Sequence, residues 1–167
     1  LCAILSDTVI FKSPTCTTAD IKCVEALAAI AGIEDYKALG MDMFRVKSAV
    51  EGTPIRDLVM RDFKDFNMNG NKVGIGQLEV IDLKVFDDIK AELEADIIKL
   101  KAEGERHSVL LLLTDIMQEG SELLVVSDNA ELTEQAYGKA TTNDKVWLDG
   151  VLSRKKQIVP QLQEVFA

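Results

Sequence analysis

The chain has one histidine, His107, and that scarcity removes a good deal of chemistry. A single imidazole makes no histidine metal centre, and no Ser/His/Asp set accompanies it here. No GxGxxG or Walker-type phosphate loop stands in for them. Just ahead of an apolar run, His107 reads as a polar residue at a strand edge. Cysteine is nearly as thin. Cys2, Cys16 and Cys23 are odd in number and lack metal-type CxxC spacing, so they read as reduced thiols of a cytoplasmic protein. No apolar run approaches the roughly 18 residues of a membrane span. The longest, Val109 to Leu113, suits a buried strand. Basic residues are outnumbered, 19 Lys and Arg against 28 Asp and Glu, for a net charge of −9. That balance lacks the broad basic face that nucleic acid requires. No internal repeat or low-complexity segment is seen, and the expectation is that no secretory signal precedes the fold. The chain opens on Leu1 with residues that are already apolar, which gives the expectation that upstream sequence is missing.

What is present is the pattern of an α/β domain: 47% hydrophobic and 28% charged residues, with strands and helices interleaved. Thr17 or Thr18 can cap a helix running to about Ala31, stopped by Gly32, with Ile21, Val24, Ala28 and Ala31 as its apolar stripe. A second helix is predicted from Tyr36, Leu39, Met43, Val46 and Val50 sharing one face. Ser48 to Pro54 reads as a joint, followed by a short helix from Ile55 to about Met60. Alternation in Phe63–Met68 and Val73–Val80 around Asn69-Gly70-Asn71 predicts a hairpin. The longest helix is expected over about Leu83 to Ala102, burying Phe86, Ile89, Leu93, Ile97 and Leu100 and turning its charges to solvent. Val109–Thr114 predicts a central strand covered on both faces, and Leu123–Ser127 an antiparallel neighbour. A short helix over Ala130–Tyr137, a last strand from Val146, a core Trp147 and a helical tail from Pro160 complete the reading.

Against this acidic background, Ser153-Arg154-Lys155-Lys156-Gln157 gathers three cations after an apolar run and Gly150. Arg offers a planar fork for two phosphate oxygens and Lys a mobile point charge, so a small anion fits there; a solvated charge cluster fits the composition as well. Distant carboxylates do not forbid such a site, because exposed charges beyond about 8 Å are largely screened at physiological salt. Asp7, after an apolar stretch, is either a turn residue or a carboxylate for a hard or borderline metal. Lys64, between Asp62 and Asp65, reads as an exposed strand lysine whose side chain points opposite to Phe63.

Three stretches carry a resemblance. Ser153-Arg154-Lys155-Lys156-Gln157-Ile158-Val159-Pro160 resembles the C-terminal signature of the manganese-dependent, or family II, inorganic pyrophosphatases of the DHH phosphoesterase superfamily. Leu5-Ser6-Asp7-Thr8-Val9-Ile10-Phe11-Lys12-Ser13-Pro14-Thr15-Cys16-Thr17 and Asp62-Phe63-Lys64-Asp65-Phe66 resemble two further stretches of that family, in its order and at about its separations. The resemblance implies a two-lobed hydrolase converting diphosphate to two phosphates at a two-metal site, with Mn²⁺, or Mg²⁺ or Co²⁺. It implies an N-terminal lobe bearing HxxxDxD and DHH ligand motifs and a C-terminal lobe bearing substrate-gripping cations. The HxxxDxD and DHH stretches are absent. Residues 1–47 are therefore expected to be a helical remnant of the DHH domain, 48–54 a linker, and 55–167 a complete substrate-binding domain with a mixed β-sheet flanked by helices. By position, Asp7 is implied to bind metal, and Lys64, Arg154 and Lys155 to hold pyrophosphate; Lys12 and Lys156 match the motifs without an assigned contact. The chain alone is expected to be inactive, its partner pyrophosphate, and a homodimer its association if any. A related exopolyphosphatase or nucleotide phosphoesterase, or a non-catalytic anion-binding domain, are the alternatives.

Overall fold

The computed structural model describes residues 1–167. Three helices come first: α1 (Cys2–Asp7), α2 (Thr18–Ala31) and α3 (Tyr36–Lys47). The start of α2 is fixed by a reciprocal cap. Thr17 Oγ1 accepts from the Asp20 amide, and the Asp20 carboxylate accepts from the Thr17 amide at 2.8 Å. The Thr17 hydroxyl, which donates to the Asp20 carboxylate at 2.6 Å, and the Thr17 amide hold the Asp20 carboxyl below its ordinary pKa. Gly32, at φ 66°, ends the helix. In α3 the buried residues are Gly40 and Phe44, not the predicted stripe; Val46 is 78% exposed. The reason is tertiary. The face of α3 that packs is chosen by Ile10, whose side chain seats against Gly40, and by Val9 and Ile116 around Phe44.

The joint leads into α4 (Ile55–Met60), then the hairpin of β1 (Phe63–Met68) and β2 (Asn71–Val80). Asn69 (φ 51°) and Gly70 (φ 85°) form its two-residue turn, in which both positions are left-handed. The long helix expected next is divided. A 3₁₀ turn over Leu83–Phe86 is anchored by the Leu83 amide donating to Asp115 Oδ2 at 3.3 Å, and α5 (Lys90–Glu103) starts afresh beyond it. The expected buried apolar residues remain buried or half-buried, but the charged residues are not all solvated. Asp96 is buried and accepts from Arg56 Nε of α4 at 2.9 Å. Next come β3 (Ser108–Asp115), β4 (Gly120–Ser127), α6 (Leu132–Tyr137) and β5 (Lys145–Asp149). A π-helical turn over Arg154–Ile158 then runs directly into α7 (Val159–Val165). Trp147 is half-buried rather than core and lies over Gly120, whose absent side chain makes room for the indole.

The sheet has the order β1-β2-β3-β4-β5. Only β2 and β3 are parallel, joined by the α5 crossover; the other pairs are antiparallel. Because side chains alternate, β3 feeds two cores. Val109, Leu111 and Leu113 join Leu58, Phe86, Leu93 and Ile97 under α4 and α5. Leu110 and Leu112 join Ile75, Leu148, Ile158 and Leu162 under α6, α7 and the π turn. The expected α/β class with a mixed, helix-flanked sheet is what the chain forms.

The helical layer docks on one end of this sheet. Val9 and Phe44 bury with Ile116, just after β3. Ser48 Oγ accepts from the Ile81 amide at 3.0 Å, and Lys47 pairs with Glu79.

Candidate functional site

The cation loop is built from the sheet outward. Lys64 and Phe66 of β1 share one face with Asp62 just before the strand, and Lys64 stands opposite Ile75 of β2, so both side chains point to the α7 side. Gln77, two residues on from Ile75, shares that face. Its Nε2 donates to Thr114 Oγ1 at 3.0 Å and to the Leu152 carbonyl at 3.1 Å, and its Oε1 accepts from the Arg154 amide at 3.2 Å. Thr114 Oγ1 in turn lies 2.8 Å from Ser121 Oγ, which donates to the Val151 carbonyl at 2.7 Å. Gln157 closes the loop on itself. Its Oε1 accepts from the Leu152 and Ser153 amides, and its Nε2 donates to the Gly150 carbonyl at 2.8 Å. The backbone of residues 150–157 is therefore held at both ends and in the middle.

Arg154 is not a free arm. The residue is 7% exposed. Nη1 donates to the carbonyls of Asp62 (2.5 Å) and Ile75 (3.0 Å), and Nη2 donates to Asp62 Oδ1 at 2.8 Å. A guanidinium has five N–H groups. The two left over, on Nε and Nη2, have no partner within the chain. Lys64 and Lys155 are exposed, and neither enters an ion pair of the chain. Since Arg154 is tied to Ile75 and to Asp62, and Lys64 is opposite Ile75 and two residues from Asp62, the fold brings these two cations to one edge of the sheet. Lys155 follows directly on the same turn. None of the three lines one of the chain's larger cavities. One of about 260 Å³ lies nearby, bordered by Lys47, Arg61, Asp62 and Gln77 among others.

Asp7 ends α1 and is exposed. Its carbonyl lies 3.1 Å from Thr15 Oγ1, and the neighbouring Pro14 carbonyl accepts from Lys156 Nζ at 2.9 Å. The Asp7 loop is thus held beside the cation loop. No group of three or more His, Cys, Asp and Glu side chains converges there or elsewhere. The donor set of this chain does not fit a metal pair, and Asp7 is a single carboxylate.

Sequence reasoning missed Gln77 and Asp62 as the residues that place Arg154, and Lys12 and Lys156 as contacts. A signal existed for Gln77, the only amide side chain in the Val73–Val80 run. For Lys12, which donates to the Ile116 carbonyl at 2.8 Å across 104 residues, there was none.

Fold and site together define an α/β domain with a mixed five-stranded sheet and an anchored cationic loop, docked against a small helical layer. The chain belongs to the DHHA2 domain family, whose model matches residues 41–165. It is 49% identical, over its full length, to an Archaeoglobus fulgidus protein named "probable manganese-dependent inorganic pyrophosphatase", of which it covers 52%. It is 41% identical over 98% of its length to the "cobalt-dependent inorganic pyrophosphatase" of Clostridium perfringens, covering 30% of that protein. The crystal structure of a Methanococcus jannaschii protein, described as a "putative family II inorganic pyrophosphatase", matches with a TM-score of 0.91 at 42% identity. That match covers 98% of this chain and 53% of the other. The chain thus spans about half, or less, of the length of the relatives it matches.

Proposed function

We propose that the chain is the substrate-gripping part of a metal-dependent inorganic pyrophosphatase, hydrolysing diphosphate to two phosphates. In this reading residues 1–47 end a metal-binding DHH domain, 48–54 are a joint, and 55–167 form the substrate-binding domain. Lys64, Lys155 and the unengaged edge of Arg154 hold pyrophosphate oxygens. Asp7 supplies one carboxylate to a metal site, manganese or cobalt by the relatives' names, whose other ligands lie in the rest of a longer protein. The observation that carries the reading is the shared edge of Lys64 and Arg154, with Lys155 adjacent and the Asp7 loop alongside. Lys64 and Lys155, exposed and without carboxylate partners in a chain of net charge −9, are what a small polyanion needs. Their contribution to hydrolysis is to offset charge building on the transferring and leaving phosphates. The absence of a helix long and apolar enough to cross a membrane, and the acidic balance, support a cytoplasmic protein with neither membrane nor nucleic-acid partners; any association is a homodimer.

Calorimetric titration of pyrophosphate into the 167-residue chain tests this. Lys64→Ala and Lys155→Ala should each weaken binding by about tenfold, the loss of one charge-assisted contact. The unmodified chain should release no phosphate in the presence of Mn²⁺. Equal pyrophosphate affinity in the parent and a Lys64→Ala/Lys155→Ala double variant removes the cation clamp; turnover by the chain alone removes the assignment of the missing ligands to a longer protein.

A further inference from the structure

Lys12 and Lys156 belong to the motifs, yet neither is placed to meet the proposed substrate as Lys64 and Lys155 are. Both amines reach across the chain instead. Lys12 Nζ donates to the Ile116 carbonyl at 2.8 Å and pairs with Glu119 Oε1 at 3.1 Å, in the turn between β3 and β4. That turn is itself bonded to the cation loop, because the Gly150 amide donates to the Glu119 carbonyl at 2.8 Å. Lys156 Nζ donates to the Pro14 carbonyl from the other side. The segment from Asp7 to Thr15 is therefore gripped at both ends of the loop that carries Arg154 and Lys155.

The segment so gripped is a strained one. Val9, Ile10 and Phe11 are consecutive left-handed residues at φ 51°, 51° and 69°, and two of them are β-branched. Such conformations persist only where the surroundings over-determine them. Here Val9 is buried against Phe44 and Ile116, and Ile10 sits against Gly40, with a Cβ at that glycine 3.0 Å from Ile10 Cγ1. The packing of Val9 and Ile10 and the two lysine contacts together hold a segment that local preference does not favour.

We propose that Lys12 and Lys156 are positioning residues, a two-point latch that sets the Asp7 segment against the cation loop and transmits occupancy of that loop to Asp7. The transmission rests on the pyrophosphate reading above; the latch itself does not. Each lysine acts through a backbone carbonyl rather than a carboxylate alone, so the hold persists at ionic strengths that screen exposed ion pairs. Releasing both leaves the sheet intact and lets residues 8–16 open.

Hydrogen exchange on the 167-residue chain reads this directly. The amides of Lys12, Ser13 and Cys16 bond within the segment, to Val9, Thr8 and Ser13. In the Lys12→Met/Lys156→Met double variant their exchange should rise about tenfold, while Leu110 and Leu112 of β3 stay unchanged. Lys156→Arg, which keeps a donor, should stay close to the parent. Unchanged exchange at 12, 13 and 16, or equal acceleration in β3, overturns the latch. With pyrophosphate added, exchange in the segment should slow in the parent and not in the double variant. If pyrophosphate does not bind the parent, the functional reading fails and the ligand-free comparison still decides the latch; if it binds and slows both chains alike, the transmission is wrong.

Discussion

Arg154→Met separates anchoring from ligand binding. The guanidinium donates to the Ile75 carbonyl, and it shares the Asp62 carbonyl with the Gln77 amide. Losing a charged donor to a buried acceptor costs about 1.5–3 kcal/mol. The ion pair to Asp62 adds little, because the Asp62 side chain is 50% exposed and the pair is screened there. A total of about 2–4 kcal/mol follows, which for a chain of this size is a fall in Tm of about 4–15 °C. Lys155→Ala removes an exposed side chain that makes no ion pair within the chain and should leave stability within about 0.5 kcal/mol. Both substitutions should weaken pyrophosphate binding. Arg154→Lys should recover only part of either property, because one ammonium cannot reach the three acceptors the planar group serves. Thermal unfolding and calorimetric titration on the same samples resolve the two quantities. An Arg154→Met chain that melts within about 1 °C of the parent would refute the anchor, since no arrangement of the remaining bonds replaces that donor.

Other consequences are more local. A Cβ at Gly120 would stand 2.3 Å from Trp147 Cζ2, so Gly120→Ala should cost about 1–3 kcal/mol and shift the emission of the single tryptophan; unchanged emission counts against the packing. Hydrogen bonds from Arg106, aided by its charge and that of Lys72, hold the Asp65 carboxyl below its usual range against a smaller opposing effect of burial. Its folded pKa is depressed, so the stability it contributes is present above about pH 4 and lost as pH falls through the lower folded value. Asp65→Asn should therefore be less stable than the parent near neutrality, with the difference shrinking toward pH 2 in urea titrations; a difference independent of pH would contradict the assignment. Arg56 joins α4 to α5 through Asp96 and Glu103. Arg56→Ala leaves the buried Asp96 carboxylate without that partner and should lower the urea midpoint more than Lys99→Ala does; equal effects would show the bridge to be dispensable.

What was legible in the sequence was what is local. The Thr17 cap, the Gly32 stop, the Asn69-Gly70 hairpin and the two-faced β3 are each fixed within a few residues, so pattern sufficed. The cation site was legible as a motif but not as a geometry. Nothing near Arg154 indicates that its guanidinium turns inward to Asp62, 92 residues away, leaving Lys155 as the outward charge. The same limit explains α3. Its apolar residues offer more than one face, and the choice falls to Ile10 and Ile116, which lie outside the helix. That choice also accounts for the left-handed turn. Three such residues cost about 1–3 kcal/mol each, while burying Val9 and part of Ile10 returns about 1.5–3 kcal/mol per fully buried side chain. The cost, about 3–9 kcal/mol in all, is not smaller than that return, so the turn depends on its further contacts, those of the two lysines among them. A segment balanced in this way responds to small changes at either lysine, which is why residues that touch no substrate in this reading nevertheless belong with the residues that do.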